Sequence, residues 1–253
     1  MTESKRIDMI THYKKLLFFA FERFEGENIY QIRPYFARIM MKDIEEFMPL
    51  SNKTVVDIGG ARGEYCRILH EERNCHAVNL DPCPSWELKS EIHVHEPVWP
   101  QTVAGIAENI PFKDNKFDLV ICRGVLEHVL PEKQQDSVNE LYRITKKGGF
   151  CYIVIPPWYS PYAGHRLRPF HILPIKVAKL LKNPFLSEKI YAHSYDQLNM
   201  YKITFRNMVK MISSSNFNLV ATKDTHLRLH FLTKIPLVRE LAVPAVTFIL
   251  KKE

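Results

Sequence analysis

The sequence predicts an α/β fold, an open and doubly wound sheet, mostly parallel, with helices on both faces. Three observations predict it. Between residues 53 and 157, short β-branched runs alternate with helical ones. The strand-like runs are apolar throughout rather than alternating, as strands covered on both faces are. The first of them ends in Gly59, Gly60 and Gly63, three of only nine glycines in 253 residues, at the place where such a sheet carries its ligand loop.

Taken in order, two helices come first, over residues 7–25 and 34–48, and they are expected to pack on the core. Ile10, Tyr13, Leu17, Phe21 and Phe24 recur at helical spacing in the first. Phe36, Ile39, Met40, Ile44 and Phe47 do so in the second, with Pro34 at its start and Pro49 closing it. The first helix, aromatic and basic, also has the composition of one that lies on a membrane surface. Thr54–Ile58 is then a strand, followed by the glycine loop and a helix from Glu64 to Arg73. His76–Leu80 is a second strand ending at Asp81, and a poorer third lies near Val103–Ile106. Phe117–Cys122 is a fourth, followed by a helix over Glu132–Ile144. Phe150–Ile155 is a fifth, reached through Lys147-Gly148-Gly149 and stopped by Pro156-Pro157.

Residues 158–203 then lose the rhythm, with many prolines and aromatics and no clean period. An irregular stretch of that length inside an α/β domain reads as a lid or substrate platform. A helix over 204–213 and strands over 217–229 and 244–251 complete the chain. The expected organisation is therefore N-terminal helices over 1–48 and one domain over 49–253, with 158–203 inserted in it.

Composition narrows the class. With 46% hydrophobic and 25% charged residues, the chain is an ordinary globular one, not disordered or fibrous. The net charge of +7 is uneven: residues 158–253 hold 15 basic and 5 acidic side chains, a net of +10, against −3 for residues 1–157. The last third is thus suited to an anionic partner. Five cysteines, Cys66, Cys75, Cys83, Cys122 and Cys151, show no C-x-x-C pair and suit a reducing, cytoplasmic setting. The longest apolar run, Leu16–Phe21, is too short to span a bilayer, so any membrane contact is expected to be peripheral.

The glycine loop, Asp57-Ile58-Gly59-Gly60-Ala61-Arg62-Gly63-Glu64, lets backbone approach a ligand closely, and the next helix offers free N–H groups. Asp81, eighteen residues beyond Gly63 at the end of the second strand, is placed to accept hydrogen bonds from both ribose hydroxyls. A nicotinamide or flavin cofactor would want G-x-G-x-x-G. Here Glu64 stands where the third glycine would be, and Asp57 precedes the loop. Carboxylates there suit an ammonium or sulfonium better than a pyrophosphate, which points to S-adenosylmethionine.

Val55–Gly63 resembles the first motif of the class I, Rossmann-like, S-adenosylmethionine-dependent methyltransferases, and of their type 11 group in particular. Leu80-Asp81 is similar to their second motif. Ala107–Phe112 and Asp114–Val120 are similar to the third and fourth, and Val125–Val129 with Leu141–Gly149 to the helix and turn before the fifth strand. The resemblance implies a seven-stranded, mostly parallel sheet with an antiparallel last strand, whose last two strands form the only antiparallel pair. It also implies cofactor contacts: the loop Gly59, Gly60, Ala61 and Gly63 on the methionine part with Asp57 orienting it, Asp81 on the ribose, Ala107 and Glu108 beside adenine, and the Arg123 backbone near the ammonium. Ala61 replaces a usual glycine, and Ile106 stands where an acid often binds the adenine amine.

Methyl transfer asks the protein to align the acceptor atom behind the methyl and exclude water. A hydroxyl acceptor also needs a proton acceptor, for which His128, His165 and His171 are candidates. Trp158, Tyr159, Tyr162 and Tyr195 offer stacking surfaces, and Arg166 and Arg168 offer anion partners, for substrate. Gly164–His171 is similar to a segment in methyltransferases of glycan assembly, which would make the acceptor a sugar hydroxyl, with a lipid-linked, phosphate-bearing carrier compatible with the basic last third. An RNA methyltransferase is a competing reading prompted by a pI of about 9.1, although no RNA-binding module stands out. A non-catalytic cofactor-binding scaffold is another. His93 and His95 alternate on one face, but without further ligands at suitable spacing no metal is expected.

Overall fold

In the computed structural model, which describes residues 9–16, 29–82, 98–186 and 188–253, seven strands form one sheet. They are β1 (Thr54–Ile58), β2 (His76–Asp81), β3 (Thr102–Ala104), β4 (Phe117–Arg123), β5 (Thr145–Ile155), β6 (Asn218–Asp224) and β7 (Val246–Lys251). Their spatial order is β3-β2-β1-β4-β5-β7-β6. The first five run parallel, and β7 is antiparallel to both β5 and β6. The final hairpin thus inserts its second strand beside β5, so antiparallel pairing extends to two ladders rather than one. The order reverses between β1 and β4, and a ligand crevice opens at their carboxyl ends.

Alternate residues of the central strands feed two cores. On one face Val55, Leu119, Ile121, Tyr152 and Ile249 meet Ala37, Met40, Met41 and Ile44 of α2 (Ile29–Glu45) and Ile68 and Leu69 of α3 (Glu64–Arg73). On the other, Val56, Ile58, Val120, Cys122, Ile153 and Phe248 meet Val138 and Leu141 of α4 (Gln134–Ile144) and Met208 and Ile212 of α6 (Phe205–Ser214). The Thr204 hydroxyl caps α6 by accepting from the Asn207 N–H.

Several boundaries differ from those expected. α2 begins at Ile29, so Pro34 lies inside it rather than at its start. The ring removes one backbone bond near the helix N-terminus, where few such bonds exist to lose. β5 begins at Thr145 and includes Gly148 and Gly149. A Cβ on Gly149 would sit 2.9 Å from the carbonyls of Asp118 and Lys146, so glycine here marks close strand approach rather than a loop. Helix α1 covers residues 9–16; the rest of the expected first helix, Cys83, His93 and His95 lie outside the described residues. His12 of α1 bridges Tyr35 Oη (2.7 Å) and the His226 carbonyl (2.6 Å).

A buried ion network clamps α2 to the sheet edge. Asp43, fully buried, takes a bidentate pair from Arg228 at 2.7 Å and the Lys223 ammonium at 3.0 Å, and Lys223 also meets Glu46 at 2.6 Å. The insertion has a small core of its own, Leu167, Ala178 and Ile190, and contains a helix that its sequence did not announce, α5 (Ile175–Lys182). α7 (Pro236–Leu241) precedes β7. No helix among the described residues is long and apolar enough to cross a membrane.

Candidate active site

At the end of β1 the chain turns sharply. Gly59 donates to the Leu80 carbonyl at 2.7 Å, and Gly63 to that of Gly60 at 2.9 Å. A Cβ on Gly60 would fall 2.3 Å from Asn79 Oδ1 and 2.5 Å from Asp57 Oδ2. Gly63, at φ +78°, would place one 2.4 Å from the Trp99 side chain, so both positions exclude any larger residue. Ala61 takes a left-handed φ of 52°, a strained conformation held by two bonds: its N–H donates to Asp81 Oδ2 at 2.9 Å and its carbonyl accepts from Asn79 Nδ2 at 2.8 Å.

Beside this turn lies a cavity of about 240 Å³ lined by Asp57, Gly59, Gly60, Ala61, Glu64 and Tyr65, by Arg123 from the end of β4, and by Arg33 and Phe36 from α2. Burial raises the Asp57 carboxyl to about 7, against the opposing pull of Arg123. The Arg123 guanidinium stacks on the Tyr65 ring, 4.4 Å from its centroid, and Arg33 pairs with Glu64 at 3.0 Å. The cavity thus presents two carboxylates and two guanidiniums.

Residues 56–153 match the family model described as Methyltransferase domain. That match falls on this crevice and this strand order. The chain carries an S-adenosylmethionine-dependent methyltransferase domain. A protein of Mycolicibacterium paratuberculosis called an uncharacterized methyltransferase is similar over the whole length, 23% identical over 99% of this chain and 97% of its own. Another from Mycolicibacterium gilvum is 27% identical over 48% of this chain and 46% of its own. The fold is that of a putative sarcosine dimethylglycine methyltransferase from Galdieria sulphuraria, with TM-score 0.58, 12% identity, 90% of this chain and 89% of that one.

The cavity's donor set fits the methyltransferase cofactor. The methionine end of S-adenosylmethionine is a zwitterion, with an ammonium to set against Asp57 or Glu64 and a carboxylate to set against Arg33 or Arg123. Of the residues read from the sequence, Asp57, Gly59, Gly60, Ala61 and Arg123 line the cavity together. For Arg123 it is the side chain, not only the backbone, that does so. Gly63 closes the loop, and Asp81, buried at the end of β2, is tied to it through Ala61. Ala107 and Glu108 lie in the turn after β3, closed by an Ile106–Asn109 bridge, and do not line this cavity. Arg33 and Phe36 escaped sequence reasoning, because α2 reaches the site only through tertiary packing.

A second cavity, of about 480 Å³, opens where the insertion meets the turn after β4. His128 lines it from the core, and His165, Arg166, Leu167, Lys189, Ile190, Tyr191, Leu198 and Met200 line it from the insertion. The insertion is pinned there: His128 Nδ1–H donates to the Asn199 carbonyl at 2.6 Å, and the Tyr201 N–H to that of Glu127 at 2.8 Å. His128 and His165 stand 4.8 Å apart between ring centroids. His171, by contrast, is fully buried, its Nε2 bonded to the Trp158 carbonyl at 2.6 Å and its ring edge-on to Trp158. Its place is structural, since a Cβ on Gly164 would overlap it at 2.2 Å. Tyr195 bonds the Leu173 carbonyl and meets Trp158 edge-on, while Tyr159 pairs with Lys202. Tyr162 is exposed, Arg166 pairs with Glu188, and Arg168 lies beside them without lining the cavity.

Proposed function

We propose that the enzyme methylates a hydroxyl of a small anionic molecule or glycan bound in the larger cavity. The supporting observation is the meeting of His128 with the insertion's His165, Arg166 and Lys189 around one open space. Arg166 and Lys189 give that space positive charge, as a phosphate- or carboxylate-bearing acceptor needs. Bound S-adenosylmethionine supplies an electrophilic methyl on its sulfonium. Asp57 and Arg123 hold the two ends of its amino-acid part, and five residues of chain lead from Arg123 at that cavity to His128 at the larger one. His128 and His165, which both line the larger cavity, offer imidazole acceptors for the hydroxyl proton.

A second feature supports a lipid-linked acceptor. Along and after α5, Leu180 (75% exposed), Phe185 (81%), Val177 and Leu181 face solvent beside Lys176 and Lys182. An exposed apolar patch with a cationic rim suits an anionic membrane surface.

The test incubates the enzyme and methyl-labelled cofactor with separated glycolipid, small-metabolite, RNA and protein fractions. Label in the glycolipid or anionic metabolite fraction is expected. Label confined to RNA or protein would overturn the reading.

A further inference from the structure

We propose that Glu127, His128 and His165 form a binding site for one divalent transition-metal ion at the inner end of the larger cavity. The donor atoms of these three side chains all lie within 4.8 Å of one another. Donors at bond lengths of about 2.1 Å on one tetrahedral ion stand about 3.4 Å apart, so side-chain rotations that draw these atoms in by about 1 Å close the site.

Four independent features point the same way. Glu127 is 7% exposed, and its Oε2 is buried without a hydrogen-bond partner. An orphaned carboxylate oxygen is costly unless something positive meets it. It lines a narrow recess that it shares with His165, and His165 also lines the open cavity, so an ion has a route from solvent to the carboxylate. The Nδ1–H of His128 is held by the Asn199 carbonyl, which leaves Nε2 with its lone pair and orients the ring as metal-ligating histidines are oriented. Finally, Gly164 and His165 both take left-handed conformations, φ +83° and +46°. For histidine that backbone is strained, and the residue so held has its ring 4.8 Å from that of His128.

Two imidazoles and one carboxylate, with the remaining positions open to the cavity, select a borderline dication such as Fe²⁺, Co²⁺ or Zn²⁺ over a hard ion caged by oxygens. For what the ion would do, the inference rests on the hydroxyl-methylation reading: acceptor oxygens would complete its coordination, and, because ligation takes up the lone pairs of His128 and His165, the ion would take over from these imidazoles the task of making the hydroxyl proton easy to lose. Whether the ion binds does not depend on that reading.

The experiment titrates Co²⁺ into the full chain, with and without S-adenosylhomocysteine, by visible absorption and calorimetry. One Co²⁺ per chain is expected, with affinity weakened at least about tenfold in each of His165→Ala and His128→Ala. His76→Ala, an exposed residue at the far end of β2, should bind as wild type does. Glu127→Gln serves as a third variant, read only if its thermal unfolding matches wild type. The absence of saturable binding up to about 1 mM, or unchanged affinity in both histidine variants, would overturn the site. S-adenosylhomocysteine binding without Co²⁺ binding overturns the metal site alone. Co²⁺ binding as expected with no methylation of any hydroxyl-bearing fraction supports the site and overturns the acceptor reading instead.

Discussion

The N–H of Ala61 donates to Asp81 Oδ2 at 2.9 Å, so the loop that leaves β1 is tied directly to the end of β2. One carboxylate therefore serves the shape of the loop and, in the proposed complex, the ribose beside it. Replacing Asp81 by Ala should weaken S-adenosylmethionine binding by about 1–3 kcal/mol, the loss of charged hydrogen bonds. Isothermal calorimetry of the variant checks this, and unchanged affinity would make Asp81 purely structural.

Asp57 makes cofactor binding depend on pH. Its folded-state carboxyl is raised to about 7 by burial, against the 3.8 usual for an exposed aspartate. The folded protein thus holds a proton that the unfolded chain has lost, and on this group's account stability falls as pH rises from about 4 to about 7. A ligand ammonium beside Asp57 favours the ionised form, so binding expels the proton. Affinity should rise from pH 5.5 toward 7.5, and calorimetry in buffers of different ionisation enthalpy should detect proton release at pH 6. Asp57→Asn should abolish both effects.

The Asp43 cluster predicts a stability effect remote from the cavity. Asp43→Ala leaves Arg228 and Lys223, both largely buried, without their shared anion. Breaking a buried pair in this way costs about 3–5 kcal/mol. Urea unfolding should show that loss, and because the clamp holds α2, which brings Arg33 and Phe36 to the cavity, cofactor affinity should fall with it.

The α5 surface predicts membrane binding. Leu180→Asp with Phe185→Asp should abolish co-sedimentation with anionic vesicles, while thermal unfolding stays at the wild-type value because both side chains are exposed. Equal binding to neutral and anionic vesicles would argue against a role for Lys176 and Lys182.

Much of this was legible in the sequence because strand periodicity and glycine chemistry are local. The runs at 54–58, 76–80 and 117–122 became β1, β2 and β4 to within one residue at each end, and the loop from Asp57 to Ala61 lines the cavity expected of it. What stayed hidden depends on contacts distant in the chain. Arg33 reaches the site through a helix anchored by Asp43 to Arg228 and Lys223. His165 meets His128 only because the insertion folds back onto the turn after β4. α5 was masked by the prolines around it, Pro174 at its N-cap and Pro184 just beyond its end.

In the proposed complex, the cavity between β1, β4 and α2 holds S-adenosylmethionine through Asp57 and Arg123. Calorimetric titration of the wild type beside Asp57→Asn and Arg123→Ala tests it most directly. A dissociation constant of about 1–10 μM for the wild type, weakened at least about tenfold in both variants, is the predicted result. No binding heat in the wild type, or equal affinity in all three proteins, would contradict it.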